Sequence, residues 1–154
     1  MKKEVKLVSA CLLGVECRWD GKSKPCDKLI EMMKEGELIP VCPEQLGGLS
    51  TPRIPSEVMD GNGKSVVDGK NKVMNRDGKD VTANYIKGAK EALKIAKMVG
   101  ATEFIGANKS PSCGKGLTYD GSFSGKLVMG DGVTAALLKK HGIKVVSVSE
   151  LENK

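Results

Sequence analysis

The sequence predicts an α/β domain: a mainly parallel sheet of about four strands, helices on both faces, and a long loop or hairpin insertion. Two observations carry this reading. Four short apolar runs, at residues 5–13, 37–44, 103–108 and 143–150, are each bounded by Gly, Pro or charged residues. The segments between them are long enough for crossovers and include stretches of helical periodicity, the pattern of parallel neighbours rather than of hairpins. A length of 154 residues suits one domain, 1–154, large enough to bury a core without staples.

Each element has its own signal. Residues 5–13, VKLVSACLL, form a nearly continuous apolar run ending at Gly14, as expected of a strand buried on both faces. A polar loop, GVECRWDGKSKP, follows. Asp27 is a suitable N-cap for a short helix with Leu29, Ile30, Met32 and Met33 inward and Gly36 as its stop. Residues 37–44, ELIPVCPE, read as the second strand. Between 46 and 79 the chain is rich in Gly, Pro, Asp and Asn, and only 65–68 and 72–75 look extended, around a DGKN turn. A connection of roughly thirty residues far exceeds the usual ~4–6, which marks a lid or site loop. Asp80 caps a long helix in which Tyr85, Ala89, Ala92, Leu93, Ala96 and Val99 recur at helical spacing before Gly100. Residues 103–108 give the third strand, and a glycine-rich segment, GLTYDGSFSG, comes later. A helix then starts at Asp131 or Gly132 and stops at Gly142, and 143–150 is the fourth strand.

Composition narrows the functional classes. There is no apolar run long enough to span a membrane, and the charged start is followed by too short an apolar stretch for a secretory signal, so a cytoplasmic location is expected. The net charge of +6 is spread without a block, which suits solubility and permits an anionic ligand. Two Phe, two Tyr and one Trp leave few platforms for stacking single-stranded nucleic acid.

The cysteines carry the chemistry. Cys11, Cys17, Cys26, Cys42 and Cys113 are an odd number, and their spacings of 6, 9, 16 and 71 match no zinc finger, ribbon or ferredoxin pattern. Any metal site must therefore be assembled by folding. In open parallel sheets ligands bind beyond the carboxyl ends of the strands. Cys11 lies near the end of the first strand, Cys42 at the end of the second, and Cys113 in the turn after the third, so all three can face one point. A buried strand cysteine also serves as a small hydrophobe. Cys113, in a Ser-Pro-Ser-Cys-Gly turn, has no core to fill. Three thiolates suit an iron–sulfur cluster with one open iron; zinc with three Cys and a water is the competitor, and Cys17 or Cys26 could close either site. Glu44, held near Cys42 by Pro43, is a candidate proton acceptor or a solvated loop residue. Ser110 either bonds its own turn or orients a substrate or water. Asp20, Arg53 and Lys109 read as surface or ion-pair residues, and His141 as a helix-end residue.

Five blocks, SACLLGVECRWDG, VCPEQLGGLSTPR, NKSPSCGKG, YDGSFSG and GDGVTAALL, together resemble the thiouracil desulfidase family, a small iron–sulfur domain first catalogued as a domain of unknown function. The resemblance runs in order over most of the chain and is weakest over residues 60–77. It implies a Rossmann-like domain and a [4Fe-4S] cluster held by Cys11, Cys42 and Cys113, with one iron not ligated by protein. It further implies Glu44 and Ser110 as catalytic residues and a thiolated pyrimidine such as 2-thiouracil as substrate, desulfurated by hydrolysis. Cys17 belongs to a matching block but is not implied as a ligand, Cys26 has no implied role, and Trp19 stands where the family pattern has Tyr. Thiolated nucleosides or tRNA are alternative substrates, the latter permitted by the positive charge. A non-catalytic iron–sulfur or zinc sensing module is the alternative of a different class.

Overall fold

The structure, a computed structural model, describes residues 4–152. The outermost positions of the expected 1–154 domain lie outside it. The elements run in the order β1 (Lys6–Ser9), α1 (Asp27–Lys34), β2 (Leu38–Val41), α2 (Pro43–Leu46), β3 (Ser56–Val58), α3 (Gly63–Val67), β4 (Val73–Asn75), α4 (Thr82–Val99), β5 (Glu103–Gly106), β6 (Leu117–Tyr119), β7 (Leu127–Met129), α5 (Val133–Lys140), β8 (Lys144–Ser147) and α6 (Val148–Glu152). Four of the strands make one parallel sheet, ordered β2-β1-β5-β8, with Lys6 level with both Leu38 and Glu103, and Glu103 level with Lys144.

Period-two alternation splits the core between the two faces of this sheet. Leu7, Phe104 and Val145 point to the face covered by α4 and α5, where they meet Tyr85, Ala89, Leu93 and Leu138. Val8, Ile105 and Val146 point to the other face, where Leu12, Leu29 and Val148 cover them. Because both faces are covered, the strands are apolar at successive positions, which is why they read as unbroken runs. Burying a side chain such as Leu7 or Phe104, both fully inaccessible, contributes about 1.5–3 kcal/mol.

Several boundaries differ from the sequence expectation. The first strand stops at Ser9, and Ala10–Leu13 winds into a 3-10 turn closed by Gly14 in the left-handed region, so Cys11 sits on a turn. Cys26, not Asp27, is the N-cap of α1, and Met33 is exposed, leaving Leu29 as its fully buried residue. The second strand ends at Val41, and Glu44 lies in the first turn of α2 with Pro43 at its start. The expected hairpin has one strand right: Val73–Asn75 pairs antiparallel with Ser56–Val58, not with 65–68. Residues 63–67 are helical because Asn62 caps them, its side chain accepting from Ser65 N at 3.1 Å. Asp80 accepts from Thr82 N at 2.9 Å at the start of α4, and Gly100 ends it in the left-handed region. The glycine-rich stretch after Gly116 forms a second antiparallel hairpin, β6 with β7, that the sequence reading left without structure.

The short helix α2 is set against α4 at a contact with no side chain between the backbones. A Cβ on Gly88 would run into the carbonyl of Pro43, and one on Gly47 into the carbonyl of Asn84, whose side chain also donates to Gly47 O at 2.9 Å. Gly88→Ala gains about 1 kcal/mol of helix propensity. Forcing the backbones apart costs about 1–3 kcal/mol. The expected outcome is net destabilisation, read as a lower denaturant midpoint, whereas the same substitution at an unobstructed helical glycine would raise it.

Candidate functional site

A cavity of about 820 Å³ opens beyond the carboxyl ends of β1, β2 and β5, and all five cysteines line it together with Glu44, Arg53, Tyr85 and Ser110. All five thiols are free. Each reaches the cavity by a separate local device. Cys11 is placed by the 3-10 turn, and the loop after it folds back so that Lys24 N and Cys26 N donate to Cys11 O and Leu12 O at 2.9 and 2.8 Å. That fold-back turns Cys17 inward, only 2% exposed, where its thiol hydrogen-bonds with those of Cys11 and Cys42. Cys42 caps α2, and its thiol donates to Cys17 O at 3.7 Å.

Cys113 hangs in a turn organised by Ser110. The Ser110 hydroxyl accepts from Ser112 N and Cys113 N at 3.1 and 2.9 Å, and its carbonyl accepts from Gly114 N at 2.9 Å. A hydroxyl that accepts two bonds still has its own proton to give. The turn is closed from both sides. Gly106 lies so near that a Cβ there would strike the Cys113 carbonyl, and Val133 N and Ala135 N donate to Pro111 O and Ser112 O at 2.8 and 3.1 Å.

Glu44 and Arg53 form an ion pair at 3.1 Å with side chains 13% and 7% exposed. Arg53 Nη2 also donates to Cys17 O at 3.1 Å, its Nη1 to Ser50 O and Thr51 Oγ1, and the Tyr85 hydroxyl donates to Glu44 Oε2 at 3.4 Å. Burial works against the Arg53 charge, but neighbouring Glu44, Cys42 and Tyr85 outweigh it and hold the guanidinium protonated. Burial, then the Glu44 charge, pushes the Tyr85 phenol well up.

The same carboxylate affects the thiols. Cys113 is pushed up to about 12, first by burial and then by Glu44. Cys17 is raised to about 11, chiefly through its hydrogen bond with Cys11, and Cys42 is raised mainly by Cys17. Without a metal these are neutral thiols, and loading one must displace their protons.

The residues present fit a soft, anionic, multi-iron group. Cys11, Cys42 and Cys113 are soft thiol donors that come from three separate strand ends and line one cavity, a donor set that suits an iron–sulfur cluster. Arg53 Nε is a buried donor with no acceptor among the described residues, on a residue that lines the same cavity as Cys42, which suits a sulfur acceptor.

Of the minor candidates, Lys109 lines the cavity in a left-handed conformation, φ 61°. Asp20 is a loop residue that accepts from Lys22 N and faces Arg18, and His141 caps the end of α5 away from the cavity. Arg53 is an ion-pair residue, but a buried one at the heart of the site. In the sequence Tyr85 reads only as a core position, a hydroxyl-bearing ring among the alanines of α4 being the available signal, and Cys17, one of the two loop cysteines able to close the site, does turn inward to it. Ser9, whose hydroxyl accepts from Ala107 N at 3.0 Å and bonds the Cys113 thiol, carried no signal at all.

Residues 7–150 match the model of the 2-thiouracil desulfurase family. The uncharacterized protein YbbK of Bacillus subtilis (strain 168) is 46% identical over 147 residues, covering 96% of this chain and 97% of that protein. A solved structure of the [4Fe-4S]-dependent thiouracil desulfidase TudS is similar with a TM-score of 0.86 at 39% identity, over 99% of this chain and 95% of that one. The chain thus belongs to the 2-thiouracil desulfurase family, and its α/β fold with a four-stranded parallel sheet is the fold of a [4Fe-4S] desulfidase.

The raised thiols give the metal-free protein a distinctive alkaline response. The unfolded Cys113 thiol ionises near 9 and the folded one near 12, so its contribution is complete below pH 9 and is lost as pH rises towards 12. Thermal melts of the metal-free protein are expected to fall across this window, and Cys113→Ala to fall less steeply than the parent.

Proposed function

We propose that this protein is a [4Fe-4S]-dependent desulfidase that hydrolyses a thiolated pyrimidine such as 2-thiouracil to uracil and sulfide, acting as a single domain over 1–154 in the cytoplasm. Among the described residues no helix is long and apolar enough to cross a membrane, and five unpaired cysteines suit a reducing compartment. The observation that carries the reading is that Cys11, Cys42, Cys113 and Glu44 line one cavity at the strand ends, in a chain of this family. Cys11, Cys42 and Cys113 would hold the cluster, one iron being left without a protein ligand. When bound, it supplies a Lewis-acidic iron for the thiocarbonyl sulfur.

The chain's own residues supply the proton chemistry. Glu44, ion-paired with Arg53, takes a proton from water as the oxygen adds to the thiocarbonyl carbon. The Ser110 hydroxyl, its lone pairs already committed to its turn, positions the substrate or relays to the departing sulfur the proton that Glu44 has taken, so that both groups end as they began. The C–S bond breaks as a C–O bond replaces it; water and the thiocarbonyl become a carbonyl and hydrogen sulfide. Oxygen and sulfur keep their oxidation states, so no electron donor is required.

Cys17 lies beside two of the proposed ligands but is not assigned as one, and Cys26 has no assigned role. A second reading, action on thiolated nucleosides, is favoured by the size of the cavity and by Lys24, Arg76 and Lys109 on its wall.

Anaerobic preparation is expected to give a brown protein with about four irons per chain; a colourless protein with one zinc would overturn the reading. Cys113→Ser should lose the iron. Cys17→Ala and Cys26→Ala should keep it, and loss of iron from either would redraw the ligand set. Glu44→Ala should retain iron but lose sulfide release by about 10²–10⁴-fold, the usual worth of a positioned base. Sulfide assays on 2-thiouracil beside 2-thiouridine rank the two substrate readings.

A further inference from the structure

We propose that Arg53 is a positioning residue: its guanidinium fixes the direction of the Glu44 carboxylate and, through the same nitrogen, locks the Cys17 loop onto it. The inference rests on the desulfidase reading for its catalytic consequence and on geometry alone for its structural part.

Three segments meet at this side chain. Nη2 is shared between Glu44 Oε2 and Cys17 O, each at 3.1 Å. The backbone N–H of Arg53 donates to Trp19 O at 2.8 Å, and Nη1 is held by Ser50 O and Thr51 Oγ1 at 3.2 and 3.1 Å. Gln45, one residue beyond Glu44, donates to the same Thr51 hydroxyl at 2.8 Å, and Leu49 N donates to Glu44 O at 3.0 Å. The loop that carries Cys17, the helix that starts at Cys42 and the segment 50–53 are therefore one hydrogen-bonded unit; the Arg53 N–H, Gln45 and Leu49 bonds hold the segments together without the guanidinium, which alone ties the Glu44 carboxylate to the Cys17 carbonyl.

The bonds to Glu44 are one-sided. Arg53 and Tyr85 both donate to Oε2, and Oε1 has no partner among the described residues while Glu44 lines the cavity. Two donors on one oxygen settle the rotation of the carboxylate and leave the other oxygen as the one presented to water or substrate. A lysine cannot reproduce this: its ammonium is a point charge on a flexible stem, whereas the planar fork reaches several fixed acceptors at once. A purely structural role also fits poorly, since buried ion pairs seldom stabilise more than apolar residues of the same volume.

The test uses the anaerobically loaded enzyme and, separately, the metal-free protein. Arg53→Lys and Tyr85→Phe should keep iron content and melting temperature close to the parent and change KM less than about twofold. kcat should fall about 100-fold in R53K, the size of effect that a misplaced catalytic group gives, and about tenfold in Y85F. In the metal-free protein, tyrosine labelled with carbon-13 at Cζ gives two resonances, for Tyr85 and Tyr119, which Y85F assigns. R53K should shift the Tyr85 resonance, because its acceptor on Glu44 has moved, and leave that of Tyr119 in place.

An unchanged kcat in R53K would overturn the proposal. So would a loss of kcat that merely follows lost iron or a lower melting temperature, since Arg53 would then be structural only. If the parent enzyme released no sulfide from any thiolated pyrimidine, the functional reading would fail and the resonance shift alone would decide whether Arg53 orients Glu44, an unmoved signal refuting it.

Discussion

Four strands that run the same way must release their connections at the same edge, and everything chemical in this protein follows from that constraint. Parallel pairing across β2, β1 and β5 brings to one rim three segments that the sequence keeps far apart: the 3-10 turn with Cys11, the helix start with Cys42 and Glu44, and the Ser-Pro-Ser-Cys turn. The buried apolar faces enforce the register, since a one-residue slip would send Leu7 and Phe104 to the wrong side of the sheet. Hydrophobic packing below the rim is thus what sets the spacing of the thiols on it.

The rim itself is electrostatically tense. Three of its thiols are held neutral by burial, by one another and by the Glu44 carboxylate. One guanidinium opposes that negative field and is itself withdrawn from water. An iron centre would relieve the thiols, giving each thiolate a counter-charge in place of its proton. Loading a metal must then displace protons as the metal arrives.

How much of this the sequence disclosed depended on how far each signal reached along the chain. The doubly covered strands and the long helix α4 announce themselves by local periodicity, and Gly14, Gly36 and Gly100 mark real ends. The motif blocks identify Cys11, Cys42, Cys113, Glu44 and Ser110, and the fold gathers those five at one cavity. Local pattern failed where a helix cap or a distant partner decides conformation. Residues 65–67 have strand-forming valines, yet the Asn62 cap makes them helical, and the partner of β4 is the unremarkable Ser56–Val58. Arg53 looks like any surface arginine until the segment 50–53 is laid against Trp19 and Cys17. Tyr85 fills its helical register so well that the task of its hydroxyl stays hidden.

The turn that carries Cys113 supplies the carbonyls that receive the first free amides of α5, and α5 packs back beneath the same sheet. The Cys113 turn and α5 are in effect one part, joined by backbone hydrogen bonds. The address of the sulfur is therefore written partly in residues that never see the cavity, such as Thr134, whose hydroxyl lies 2.7 Å from that of Ser112 deep in the interior. Transplanting the nine-residue motif onto another scaffold would carry the cysteine across but not its coordinates; the smallest portable unit is the turn together with the helix that clamps it.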